Sequence, residues 1–317
     1  MPSQAMQDWI DALRDRRKAT VSQAPPTLEE RRAAFAPGGR LHPVPDDVLV
    51  REVTAGGVPA HWLAAPGADA GRVLLFLHGG GYELGSLRSD GELAARLGRA
   101  SGMRVLFPEY RLAPEHPFPA AIDDVLAAWR WLRTDQDLSA RSIAVAGDSA
   151  GGGLTVALLV ATRAAGEALP AAAALMSPTV DLTSSGASMT ERADQDPIST
   201  PAMLRQFASD YLAGADPKTP LASPLFASLS GLPPLLVQVG TADLLLSDSP
   251  TPGHSSSRSR GRRHPGDRRG PAPRLPDHAR HPRGSRGHRA NREVPPGPGT
   301  LTRQSIDSRL PGARSVA

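Results

Sequence analysis

The strongest constraint on this chain is Gly147-Asp148-Ser149-Ala150-Gly151-Gly152, set where a buried apolar strand turns sharply into a helix. The strand reads Ser142-Ile143-Ala144-Val145-Ala146, and the helix opens near Ala150 and runs through Leu154-Thr155-Val156-Ala157-Leu158-Leu159-Val160. Small residues flank the turn because it brings backbone close to both strand and helix. A serine there has its hydroxyl lifted above the sheet, beside helix N-terminal N–H groups that lack partners. Such a position suits a nucleophile, although a Gly/Ser loop ahead of a helix also serves as a plain N-cap.

Upstream, the apolar run Val73-Leu74-Leu75-Phe76-Leu77 is followed by His78-Gly79-Gly80-Gly81-Tyr82. The run predicts a fully buried parallel strand. The glycines let backbone N–H groups point into a cavity, the arrangement that meets charge developing on a tetrahedral intermediate. Alone, such a loop reads equally as a turn. Loop and elbow together, each at a strand end, point to acyl transfer.

Further strands are predicted over 48–54, 60–65, 103–107, 171–176 and 235–240, with helices over 7–18, 28–35, 89–101 and 120–133. This alternation implies an α/β fold with a mostly parallel central sheet and helices on both faces. The stretch 194–212 breaks the rhythm with Asp196-Pro197-Ile198-Ser199 and a helical Met203-Leu204-Arg205-Gln206-Phe207.

A third block, Pro108-Glu109-Tyr110-Arg111-Leu112-Ala113-Pro114-Glu115-His116-Pro117-Phe118-Pro119-Ala120-Ala121, lies between the two motifs. With it, residues 1–248 resemble a bacterial member of the hormone-sensitive lipase family of α/β-hydrolases, which carry an HGGG loop and a GDSAGG elbow. The resemblance implies an α/β-hydrolase fold with a helical cap, formed by residues 1–45 and an insertion at about 185–215 in a core spanning 46–248. It implies Ser149 as nucleophile and Gly80, Gly81 and Ala150 as oxyanion donors, with His78 and Gly79 as scaffold of the glycine loop. It places the catalytic acid at the end of strand 235–240, on Asp243, with Asp248 as the alternative. Either carboxylate also reads as a simple cap of the turn that follows. The implied activity is hydrolysis of short- to medium-chain acyl esters, a small-molecule substrate class, with no metal or organic cofactor. An amidase or a deacetylase uses the same fold. Intact members are often homodimers through their last strand and helix.

At 317 residues the chain accommodates one large domain and a small lid. It has no cysteine, which excludes disulfides, thiolate metal sites and cysteine catalysis. Residues 1–18 are polar, unlike a signal peptide, and no apolar run reaches the length of a membrane span. The expectation is a cytoplasmic protein.

The net charge of +4 hides a split. Residues 250–317 hold fifteen arginines, no lysine and four acidic residues, a balance of +11, which leaves −7 for the remainder. That segment has no Phe, Tyr, Trp or Met, but eleven prolines and nine glycines. Such a composition predicts disorder over 249–317. It also lacks the family's histidine, expected about thirty residues beyond the acid in a Gly-x-x-His setting. His254, His264, His278, His281 and His288 have no such context. His278 and His281 are the nearest substitutes, in a coil that offers a base no fixed position.

Two readings account for the segment. One is a basic tail for nucleic acid or an anionic surface on a catalytically dead hydrolase, a case weakened by the lack of aromatic interleaving. The other is a frameshift near 247–252. If each true codon takes the last two bases of one codon and the first of the next, 261–266 permits VDVTL, 269–277 permits EGLPHVYQ and 282–299 permits PEAAEATEQIGKFLRAR. These form a strand, a GLPH turn and an amphipathic helix, in order. The hidden histidine straddles the codons of Pro273 and Arg274.

Overall fold

A computed structural model describes residues 4–21, 26–35 and 43–248. Two N-terminal helices, α1 (Gln4–Val21) and α2 (Leu28–Phe35), precede an antiparallel hairpin of β1 (Leu49–Ala55) and β2 (Val58–Ala64). The hairpin closes through Gly56-Gly57, both at positive φ, as a tight two-residue loop requires. There follow β3 (Asp69–Leu77), α3 (Leu87–Ser101), β4 (Met103–Pro108), α4 (Ala120–Thr134), β5 (Ile143–Asp148), α5 (Ala150–Ala164) and β6 (Ala172–Met176). A short α6 (Ser188–Glu191), α7 (Pro201–Leu212) and β7 (Leu235–Gln238) complete the described elements.

The seven strands lie in the order β1-β2-β4-β3-β5-β6-β7. β2 runs antiparallel to β1 and β4, and every pairing from β4 to β7 is parallel. The expected mostly parallel sheet is therefore present, with the antiparallel hairpin at one edge. β3 starts at Asp69 rather than at Val73 because its polar first residues continue the ladder to Met103 through a register shift. Polar residues at an exposed strand end leave no apolar signal.

Helices cover the sheet from both sides. On one face Ile122, Trp129 and Leu132 of α4 and Leu158 of α5 are fully buried with Val73, Leu75, Leu77 and Val145. On the other, Ala94 and Ala95 of α3 pack against Leu74, Phe76, Val105 and Phe107. Each such large apolar side chain contributes roughly 1.5–3 kcal/mol relative to exposure. This double core fixes β3 and β5, the strands that lead into the glycine loop and the elbow. Toward β7 the α3 face thins: Ala144, Ala174 and Met176 are half-buried and Leu236 is 59% exposed.

The N-terminal helices are tied down by arginines. Arg14 and Arg17 of α1 donate to the carbonyls of Ala193, Gln195 and Asp196. Arg32 of α2 pairs with Glu115 and donates to the Glu83 and Ala113 carbonyls. Among the described residues no helix is long and apolar enough to cross a membrane. No cluster of three or more His, Asp or Glu side chains among them fits a metal ion. The expectations for 249–317, including disorder, the basic tail and the frameshift, lie outside the described residues.

Candidate active site

Strand register builds the site. Leu77 pairs with Gly147, while Asp148 is level with Met176 and Met176 with Gln238. The carboxyl ends of β3, β5, β6 and β7 therefore align, at the edge where open α/β sheets bind ligands. Ser149 follows β5, the glycine loop follows β3 and Asp243 follows β7.

Ser149 sits at φ 50, ψ −115, a backbone region costly for any residue with a side chain, at roughly 1–3 kcal/mol. Backbone contacts enforce it: Ser149 N–H donates to the Met176 carbonyl at 2.8 Å, and its carbonyl accepts from Gly153 at 3.1 Å and Thr179 at 2.9 Å. The half-buried side chain makes no capping bond to α5, so its hydroxyl is not committed to the helix.

The glycine loop lies directly against this serine. A Cβ built on Gly79 would stand 3.3 Å from Ser149 Cβ and 2.6 Å from Asp148 Oδ2. Gly80 and Gly81 take φ +108 and +64, which only glycine adopts without strain. Among the described residues, neither of their N–H groups donates to a backbone carbonyl. Ala150 is the first residue of α5, where helical N–H groups lack internal partners. Phe207 of α7 closes over the loop, since a Cβ on Gly81 would fall 2.3 Å from its ring.

His78 is fully buried beneath the loop. Its Nδ1 lies 2.8 Å from the Gly79 carbonyl and its ring stacks on Tyr110 at 4.1 Å. Burial pushes its pKa down, against the pull of the Gly79 carbonyl and Glu109, and the ring is turned toward its own loop. The third sequence block supplies the support: Tyr110 O–H donates to the His78 carbonyl at 2.8 Å, and Ala113 N–H donates to that of Tyr82 at 2.9 Å.

Asp243 is half-buried in the turn after β7. Its Oδ1 accepts from Leu245 N–H at 2.8 Å, which is the capping bond that sequence alone allowed. Burial, with added repulsion from Asp90 and Asp243, pushes the Asp148 carboxyl up to about 7. Asp248 is buried, 3.3 Å from a Cβ built on Gly186. Burial first and then Asp181 raise it to about 8, so it is largely uncharged near neutrality.

Several contributors went unread in the sequence. Asp196 accepts from Leu244 N–H at 3.0 Å and from Ile198 and Ser199 N–H at 2.8 Å, bracing the Asp243 turn. Ser188 donates to the Leu244 carbonyl at 2.5 Å. Tyr211 and Glu83 also meet at the loop, beside Phe207 of the helical stretch that the sequence set apart as a cap element. His278 and His281 lie outside the described residues.

A family model described as the alpha/beta hydrolase fold matches residues 74–253. The chain is 47% identical over 226 residues to an acetyl-hydrolase of Streptomyces hygroscopicus, a match covering 70% of this chain and 74% of that one. It is 36% identical over 211 residues to an esterase of Acinetobacter venetianus, covering 66% and 69%. Among solved structures, an esterase from the bacterial hormone-sensitive lipase family superposes with a TM-score of 0.73 at 44% identity, covering 78% of this chain and 82% of that one. EstE5 soaked with p-nitrophenyl butyrate superposes at 0.71 and 41%, with the same coverage. With a family match over more than half its length and relatives this similar, the chain belongs to the hormone-sensitive lipase family of bacterial α/β-hydrolase esterases.

Proposed function

We propose that the chain descends from a serine carboxylesterase for short acyl esters, with Ser149 as nucleophile. The observation that carries this is the juxtaposition of a strained Ser149 with Gly79 at its Cβ and the unspent N–H groups of Gly80 and Gly81 beside it. Ser149 Oγ attacks the ester carbonyl carbon as a base removes its proton. The carbonyl oxygen takes the negative charge and is met by the N–H groups of Gly80, Gly81 and Ala150. Collapse expels the alcohol, which receives the proton from the base, and water hydrolyses the acyl-serine by the same steps.

Asp243 is assigned the acid that orients the base, in preference to the buried Asp248, which is largely uncharged near neutral pH. Phe207 against Gly81, and Tyr82 stacked on Tyr211 at 3.8 Å, narrow the space above the loop. This favours short acyl groups, in keeping with an acetyl-hydrolase among the relatives. α1, α2, α6 and α7 form the cap in this reading.

The base is the missing part. The histidines among the described residues beyond the N-terminal helices are His61, His78 and His116, all upstream of Ser149. The family match ends at residue 253, close to where the composition changes. This supports a frameshift whose alternative frame spells the GLPH turn. The 317-residue chain then lacks a positioned base, which costs roughly 10^4 to 10^6 in rate. The test is butyrate-ester hydrolysis by the frame-restored protein and its Ser149→Ala variant. Turnover lost in the variant supports the assignment, and turnover kept in it refutes it.

A further inference from the structure

Three consecutive residues of the glycine loop each meet a partner on one face of α7. Gly81 lies under Phe207, Tyr82 stacks on Tyr211 with ring centroids 3.8 Å apart, and Glu83 shares Arg31 Nη2 with Asp210. The partners are spaced three and four residues apart, the spacing of a single helical face. The Glu83 side chain is fully buried; Arg31 Nη2 approaches its Oε2 at 2.5 Å and Asp210 Oδ2 at 3.7 Å. Glu83 Oε1 is buried with no hydrogen-bond partner. From the next position on α2, Arg32 Nε donates to the Glu83 carbonyl at 3.0 Å.

We infer that Glu83 is a positioning residue, and that Arg31 and Asp210 use it to clamp the glycine loop in register with Ser149. This deepens the esterase reading and rests on it, because the clamped segment carries the proposed oxyanion donors. The physical case is an imbalance of charge. Two carboxylates share one guanidinium, and a carboxylate out of water is tolerated only while its counter-charge stays in place. Arg31 therefore holds α2, the loop and α7 together, and withdrawing it leaves Glu83 buried without compensation. At alkaline pH, where the carboxylate is held ionised, the loop then opens to hydrate it, and Gly80 and Gly81 move with it; at lower pH Glu83 takes up a proton instead. Glu83 touches no reacting atom in this scheme.

The test is hydrogen–deuterium exchange on the full 317-residue chain at pH 8.5, with peptides covering 78–85, 201–212 and 150–164. Arg31→Met is expected to speed exchange in 78–85 and 201–212 by at least about tenfold, discounted from the fully buried case because Arg31 is partly exposed. Exchange in 150–164 is expected to stay within about twofold. The double variant Arg31→Met with Glu83→Gln, which removes the orphaned charge, is expected to restore protection. Should Arg31→Met not fold, Arg31→Gln gives the same ranking at smaller amplitude. Unchanged loop exchange, an equal rise in all three regions, or no rescue by the double variant would each overturn the clamp. Exchange needs no catalytic turnover, so a failed clamp and a failed esterase assignment are told apart.

Discussion

Substituting Gly151 by alanine tests whether α5 is seated on β3 by backbone contact. A Cβ at Gly151 would stand 2.0 Å from the Leu77 carbonyl oxygen and 2.5 Å from that of His78. Both are backbone atoms at the buried carboxyl end of β3, so neither can swing aside. A comfortable carbon–oxygen contact is roughly 3.3 Å, so α5 and β3 must part by about 1 Å. Overpacking of this kind costs about 1–3 kcal/mol when side chains can adjust. With backbone on both sides, about 3 kcal/mol or more is expected. Alanine's better helix propensity returns about 1 kcal/mol, for a net loss of at least about 2 kcal/mol. Gly166→Ala is the control: it has φ +69 but open space around it, so it carries only backbone strain of about 1–2 kcal/mol. Urea denaturation followed by circular dichroism gives both values. In the frame-restored enzyme, Gly151→Ala also moves Ala150 away from the glycine loop, and about a hundredfold loss in kcat is expected. A Gly151→Ala variant as stable as wild type, with unchanged kcat, would refute this seating of the helix.

Other outcomes follow from the same geometry. Ser149→Gly relieves the positive-φ strain and, net of glycine's entropy cost, raises stability by about 1 kcal/mol while abolishing turnover, measurable by thermal unfolding. Tyr110→Phe removes the bond to the buried His78 carbonyl and costs about 1–3 kcal/mol by the same assay. Glu83 is pushed up to about 7 by burial and by Asp210, against the pull of Arg31. The folded state thus holds its proton more tightly than the unfolded state. Its stabilising contribution is complete below about pH 4.5 and is lost as pH rises through about 7. Glu83→Gln is expected to flatten the fall in melting temperature between pH 5 and about 8; an unchanged slope contradicts the assignment.

Most of what frames the site was legible in the sequence, for a physical reason. Parallel strands buried on both faces read as continuous apolar runs, so β3 and β5 stood out, and glycines at their ends marked where backbone must turn or approach closely. The helix of 28–35 was bounded by Pro26-Thr27 ahead of it and matched by α2. What escaped was either long-range or without apolar period. Arg31 and Glu83 are 52 residues apart, and Asp196 meets Leu244 across 48, separations that no local pattern encodes. α6 has only four residues, too few to show a helical repeat. The polar start of β3 is held by its neighbour rather than by its own side chains. A histidine in the family's Gly-x-x-His setting is not found in the sequence, and His78, whose carbonyl packs against Gly151 of the elbow helix, is buried and turned toward its own loop.

The central claim is tested most directly by p-nitrophenyl butyrate hydrolysis with three purified proteins: the frame-restored chain, its Ser149→Ala variant and the 317-residue chain. The frame-restored chain is expected to turn over, the Ser149→Ala variant to lose that activity, and the 317-residue chain to fall roughly 10^4- to 10^6-fold below the first. Full activity in the 317-residue chain, or turnover that survives Ser149→Ala, would contradict the account.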